Sequence, residues 1–145
     1  FQTQKPVNIA IGARRLMALE SHGSSEVTVA GPYEAAFELR GADASSVSLN
    51  NLNLSRLNTD LSGSSEIQVS GAVTELNLNA VQASSFDGTD LTTKSARVEV
   101  SGSSEASVEV ESELVVTIKD AASVYYAGEP TIDQSVSFAG TLEPQ

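Results

Sequence analysis

The stretch Asp60-Leu61-Ser62-Gly63-Ser64-Ser65-Glu66-Ile67-Gln68-Val69-Ser70 sets a tight turn of small polar residues against a run in which apolar and polar residues alternate. Alternation at period two marks a strand buried on one face, and Gly and Ser are the residues that let a chain turn sharply. The same small-Ser-Ser tripeptide recurs as Gly23-Ser24-Ser25, Ala44-Ser45-Ser46, Ala83-Ser84-Ser85 and Gly102-Ser103-Ser104, with a degenerate copy at Ala121-Ala122-Ser123. Their middle positions 24, 45, 64, 84, 103 and 122 are 21, 19, 20, 19 and 19 residues apart. A fixed interval of this length signals a repeat architecture, in which one unit cannot bury its apolar side alone and neighbours stack to do so.

Alternating residues follow each tripeptide, as in Val27 and Val29, Val47 and Leu49, Val108 and Val110, or Val124 and Tyr126. A second alternating run precedes most of them, as in Phe37 and Leu39, Leu76 and Leu78, Val98 and Val100, or Val116 and Ile118. Each unit therefore reads as strand, turn, strand, turn. Val7, Ile9 and Leu19 stand twenty residues ahead of Val27, Val29 and Leu39, so residues 5–22 read as a preceding coil that turns at Gly12-Ala13-Arg14. A helix over residues 13–20 is the alternative there, on propensity; register favours the strand. Two short strands in ~20 residues, with turns too tight for a crossover helix, predict a parallel stack. The expected fold is all-β: a single-domain right-handed parallel β-helix of six to seven coils over residues 7–142, with tails at 1–6 and 143–145.

A forty-residue alternation lies over the twenty-residue one. The turns read Gly-Ser-Ser-Glu at 23–26, 63–66 and 102–105, but Ala-Ser-Ser-apolar at 44–47 and 83–86. Either coils of ~20 residues alternate in corner chemistry, or one wide coil takes ~40. A wide coil would stack Glu26, Glu66 and Glu105 directly at ~4.8 Å, where like charges oppose pairing. The narrow coil separates them by Val47 and Phe86, although the wide one would place those two apolar residues more comfortably inside.

Composition narrows the function classes. The 145 residues carry 19 acidic and 8 basic side chains, a net charge of −11, which repels nucleic acid and anionic lipid headgroups. Lys5, Arg14 and Arg15 are the only basic concentration. The chain has no cysteine, so thiolate metal sites are excluded, and no apolar run approaches the ~18 residues of a membrane helix. A start at Phe1 rather than Met suggests removal of a leader or tag.

Several segments together resemble the auto-transporter adhesin head GIN domain family of bacteria. They are Asp60-Leu61-Ser62-Gly63-Ser64-Ser65, Ala83-Ser84-Ser85-Phe86-Asp87-Gly88-Thr89-Asp90-Leu91, Val100-Ser101-Gly102-Ser103-Ser104, Tyr125-Tyr126-Ala127-Gly128-Glu129-Pro130 and Ser137-Phe138-Ala139-Gly140. The likeness runs from about residue 7 to 142. It implies a β-helix similar in shape to pectin lyase-like proteins, export to the periplasm, outer membrane or cell surface, and a role in adhesion. It supplies no catalytic residue to carry over. Ala44, Ala83 and Ala121 depart from the family's more Gly-rich turns.

Candidate sites are few. A carbohydrate-active enzyme on this fold needs converging carboxylates, often with a base or metal, and Asp87, Asp90 and Glu99, with Lys94 and Arg97, are the candidates, in the polar and irregular stretch 86–97. A solvated surface is the commoner meaning of such a stretch. His22, the one histidine, reads as a polar corner residue, and one histidine cannot activate serines at five turns; those serines read as corners satisfying turn amides. No cofactor is expected; calcium on Asp43, Asp60, Asp87, Asp90, Asp120 and the glutamates is the one plausible ion, though the Gly-Gly-x-Gly-x-Asp repeat of calcium-bound β-rolls is missing. Tyr33, Tyr125 and Tyr126 offer a surface for sugar stacking or a protein contact, or cap the stack. The reading is thus a non-enzymatic, adhesin-like module for a glycan or protein. A carbohydrate-active enzyme near residues 87–99 and a structural spacer or oligomer core, such as a trimer capping its open ends, are the alternatives.

Overall fold

The computed structural model describes residues 16–30, 33–137 and 139–145. They form β1 (Leu16–Ser21), β2 (Glu26–Ala30), β3 (Tyr33–Gly41), β4 (Ser46–Leu61), β5 (Glu66–Ala80), β6 (Ser85–Val100), β7 (Glu105–Ile118), β8 (Ser123–Ala127), β9 (Thr131–Val136) and β10 (Thr141–Pro144), with no helix. All pairings are parallel and run coil to coil, giving a β-solenoid of about six turns with ~19-residue coils. The alternative helix over 13–20 is replaced by β1 from Leu16 onward, paired with β3; Val7, Ile9 and the turn at 12–14 lie outside the described residues. Glu143 and Pro144, read as tail, are instead paired with Tyr125 and Tyr126.

Each full coil is one bent strand rather than two strands and a turn. In β4, Val47 and Leu49, then Leu52 and Leu54, then Leu57, Thr59 and Leu61 are buried. Between these runs the outward pairs Asn50-Asn51 and Ser55-Arg56 break the alternation. Two successive outward residues redirect the side chains and bend the coil, so β4 has a first face (46–50), a second (51–55) and a third (56–61). Inside, columns such as Phe37, Leu57, Leu76, Ala96 and Leu114 stack in register. Volumes compensate where the column is uneven: Phe86 stacks on Ala106, and a methyl at Gly88 would lie 2.8 Å from Phe86 Cε1.

The tight corner always has the same length. Three residues separate the last inward position of the third face from the next inward serine: Ser21 to Ser25, Gly41 to Ser45, Leu61 to Ser65, Ala80 to Ser84 and Val100 to Ser104. The middle residue adopts positive φ in every corner: Gly23 (68°), Asp43 (63°), Gly63 (71°), Gln82 (72°), Gly102 (78°) and Asp120 (61°). Glycine therefore alternates with a residue bearing a side-chain acceptor, and that acceptor reaches back: Asp43 Oδ2 accepts from Gly23 N (3.3 Å), Gln82 Oε1 from Gly63 N, and Asp120 Oδ2 from Gly102 N (3.3 Å).

This register corrects the alignment of the tripeptides. The second serine of each Gly-Ser-Ser aligns with the first serine of each Ala-Ser-Ser, so Glu26, Ser46, Glu66, Ser85, Glu105 and Ser123 form one outward column. The coil is the narrow one and the glutamates are kept apart, but by Ser46 and Ser85. Val47 and Phe86 lie inside, stacked on Ile67.

Candidate binding face

The residues singled out from the sequence do not converge. Asp87 and Tyr125 stand in one outward column of the first face, with Ser107 between them. Tyr126 is half-buried above Val108 and packs on the core. Asp90 is at a bend beside Ser70, and Tyr33 pairs with Leu16 near the far end of the stack. The stretch 86–97 is not an irregular connection but most of β6, whose extra length is taken up by register shifts at 88–92 and 93–95 against β7. Asp87 is engaged locally, accepting from Thr89 N (3.1 Å) and Thr89 Oγ1 (2.7 Å), an Asx-type turn. Arg97 and Glu99 belong to the third face, and Lys94 to its rim.

The inward corner serines have structural partners, except Ser45, whose buried hydroxyl has none. Ser25, Ser65, Ser84 and Ser104 donate to the carbonyls of His22, Ser62, Val81 and Ser101, each three residues back, at 2.8–3.1 Å. The His22 ring lies 2.7 Å from Glu20 Oε1 on the surface, and no serine hydroxyl bonds to it. Among the described residues, no three Asp, Glu or His side chains are grouped to hold a metal ion.

The third face is built differently. Its outward columns are Arg56, Glu75, Ser95 and Glu113; then Glu38, Asn58, Asn77, Arg97 and Val115; then Arg40, Asp60, Asn79, Glu99 and Thr117. Neighbouring coils bond through these side chains. Arg56 donates through Nε and Nη2 to Glu75 Oε2 (3.1 and 2.9 Å). Asn77 donates to Asn58 Oδ1 (3.0 Å) and Glu75 Oε1 (3.3 Å), and Asn79 to Asp60 Oδ1 (3.3 Å). The hydrogen bond from Arg56, seconded by that from Asn77, holds the Glu75 carboxyl below the usual carboxylate range. The face is thus a braced lattice of amides and charges. Among the described residues the side chains of Arg97 and Glu99 make no hydrogen bond or salt bridge, although the Arg97 charge also favours the ionised Glu75 carboxyl.

Three shallow depressions lie here, of about 140, 150 and 140 Å³, against the roughly 300–1,000 Å³ of an enclosing small-molecule pocket. Asn77 and Arg97 form a ridge between two of them, and Asn79 and Glu99 a ridge between the next two. The sequence carried this signal at alternate positions of the second run in each repeat. Irregularity and aromatics drew attention to β6 and the tyrosines instead.

No curated protein sequence matches the chain. Among solved structures, a protein titled "Putative lipid binding protein", from Parabacteroides distasonis, superposes with a TM-score of 0.62 at 19% identity, covering 90% of this chain and 56% of that one. The likeness is one of fold, and the chain spans little more than half of that protein's length. The sequence profile of the family described as "Putative auto-transporter adhesin, head GIN domain" matches residues 1–130, which covers the stack up to the start of β9. The solenoid, its Gly-Ser-Ser corners and this match together establish that the chain belongs to the auto-transporter adhesin head GIN domain family.

Proposed function

We propose that this domain is a non-enzymatic binding module of an exported bacterial protein, and that it holds an extended glycan against its third face. The observation that carries the reading is the lattice of Asn58, Asn77, Asn79, Arg97 and Glu99, displayed across successive coils without an enclosing cleft. Flat arrays of amide and charged groups suit a ligand that supplies hydroxyl donors and acceptors along its length, whereas a stable protein interface favours an apolar, aromatic centre. The family's adhesin description supports a surface role. Hydrolysis or elimination would need carboxylates flanking one bond, and Asp87 and Asp90 lie on a different side of the coil from Glu99.

The test is a glycan array read with three variants. Asn58→Trp and Asn77→Trp place bulk on the third face and should abolish the signal, while Ser107→Trp on the first face should leave it. Incubation with the bound glycans should release no new reducing ends. Binding unaffected by both third-face variants, or sugar release, would remove this reading.

A further inference from the structure

We infer that the ligand of the third face is an uncharged polysaccharide, and that it lies across the stack, parallel to the strands, over the two ridges Asn77/Arg97 and Asn79/Glu99. This rests on the glycan-binding reading above and names the ligand's charge class and direction. Charge is the first argument. Every lysine and arginine of the described residues, namely Arg40, Arg56, Lys94, Arg97 and Lys119, stands on this face or its two rims. Over the coils of β4, β5 and β6 the face and its rim set Arg56, Lys94 and Arg97 against Asp60, Glu75 and Glu99. Three cations against three anions leave no net field to draw a charged ligand, on a chain whose total is −11. An acidic sugar at Arg97 would meet Glu75, Glu99 and Glu113 around the same depressions. A neutral polyol meets donors and acceptors in balance.

Shape is the second argument. The three depressions do not follow the stack axis. They succeed one another along the strand direction, from Glu75/Ser95/Glu113, past Asn77/Arg97, to Thr59/Leu78, past Asn79/Glu99, to Val81/Ser101/Lys119. Successive ridges are two residues apart on a parallel strand, ~6.6 Å. The central depression has Thr59 and Leu78 in its lining, and both side chains belong to the buried core. With those side chains turned inward, the exposed lining between the polar tips of Asn77, Asn79, Arg97 and Glu99 is mostly apolar, which matches a pyranose ring, whose faces carry C–H groups and whose rim carries hydroxyls.

Affinity electrophoresis in gels containing a soluble β-glucan, a mannan, a xylan or polygalacturonate tests this with the intact chain. One or more neutral polysaccharides should retard the protein, and retardation should persist at high salt, where charge-driven binding is screened. The double variant Asn77→Ala/Asn79→Ala should weaken that binding at least tenfold, with circular dichroism confirming the fold. Arg97→Gln, which keeps hydrogen-bonding groups but removes charge, should leave the salt dependence of that binding unchanged and neutral binding detectable, and Ser107→Ala should leave the binding itself unchanged. Retardation by polygalacturonate alone, lost at high salt or in Arg97→Gln, would overturn the inference and leave a glycan-binding face standing. Neutral binding indifferent to Asn77 and Asn79 would overturn the placement. No retardation by any polysaccharide would bring down this inference together with the glycan reading.

Discussion

At the corner residues, one φ angle is shared and two chemistries alternate. Gly63 and Gly102 sit beneath the backbone of the preceding coil: an added Cβ would fall 2.6 Å from Asp43 O at Gly63 and 2.5 Å from Gln82 O at Gly102. Gly23 has the same φ, and no atom of the described residues lies within 4 Å of its added Cβ. Asp43, Gln82 and Asp120 tolerate positive φ because their side chains accept the glycine N–H of the coil before. Gly23→Ala should therefore cost about 1 kcal/mol, the left-handed conformation alone. Gly63→Ala should cost at least ~2–3 kcal/mol, because the clash is with backbone that cannot move without shifting a coil. Urea denaturation of the two variants measures the difference, and equal costs would show that the stack does not press on the corner.

Among the elements, β4 to β7 are held by ladders that continue through the corners. Ser62 N donates to Gly41 O (2.9 Å), Ala83 N to Gly63 O (3.0 Å) and Ser101 N to Ala80 O (2.9 Å), so the turns are bonded as the strands are. The outward column Glu26, Ser46, Glu66, Ser85, Glu105 and Ser123 shows how this register handles charge. A hydroxyl between carboxylates doubles their separation from ~4.8 Å to ~9.6 Å. Ser85→Glu would set three carboxylates on consecutive coils and should destabilise the protein by about 0.5–1 kcal/mol at pH 7. The loss should shrink at high salt, where exposed charges are screened. Thermal denaturation across a salt series checks it; a loss that salt does not change would mean the column is not in register.

For the whole molecule, stability is spread along a line, since each coil touches only its neighbours. The middle coils bury complete inward columns, whereas in β9 Gln134 and Val136 are exposed above Val116 and Ile118. Amide hydrogen exchange should be slowest in β5 and β6 and fastest in β9 and β10. Uniform protection along the chain would instead indicate one all-or-none unit.

The repeat, its twenty-residue period and its parallel stacking were legible in the sequence, because interior stacking imposes the same apolar alternation on every coil. Separation of Glu26, Glu66 and Glu105 was legible too, since like charges cannot share adjacent positions. What only the tertiary structure decided was the one-residue offset between the Gly-Ser-Ser and Ala-Ser-Ser corners. Sequence similarity aligned the tripeptides by composition, whereas the coils align them by the inward serine and the middle residue of positive φ. The candidate face was also decided there. Asn58, Asn77 and Arg97 are nineteen and twenty residues apart in the chain, two amides and a guanidinium with differing neighbours, so they carry no motif. Only coil-on-coil register brings them into one column, because adjacency across a solenoid depends on where each bend falls.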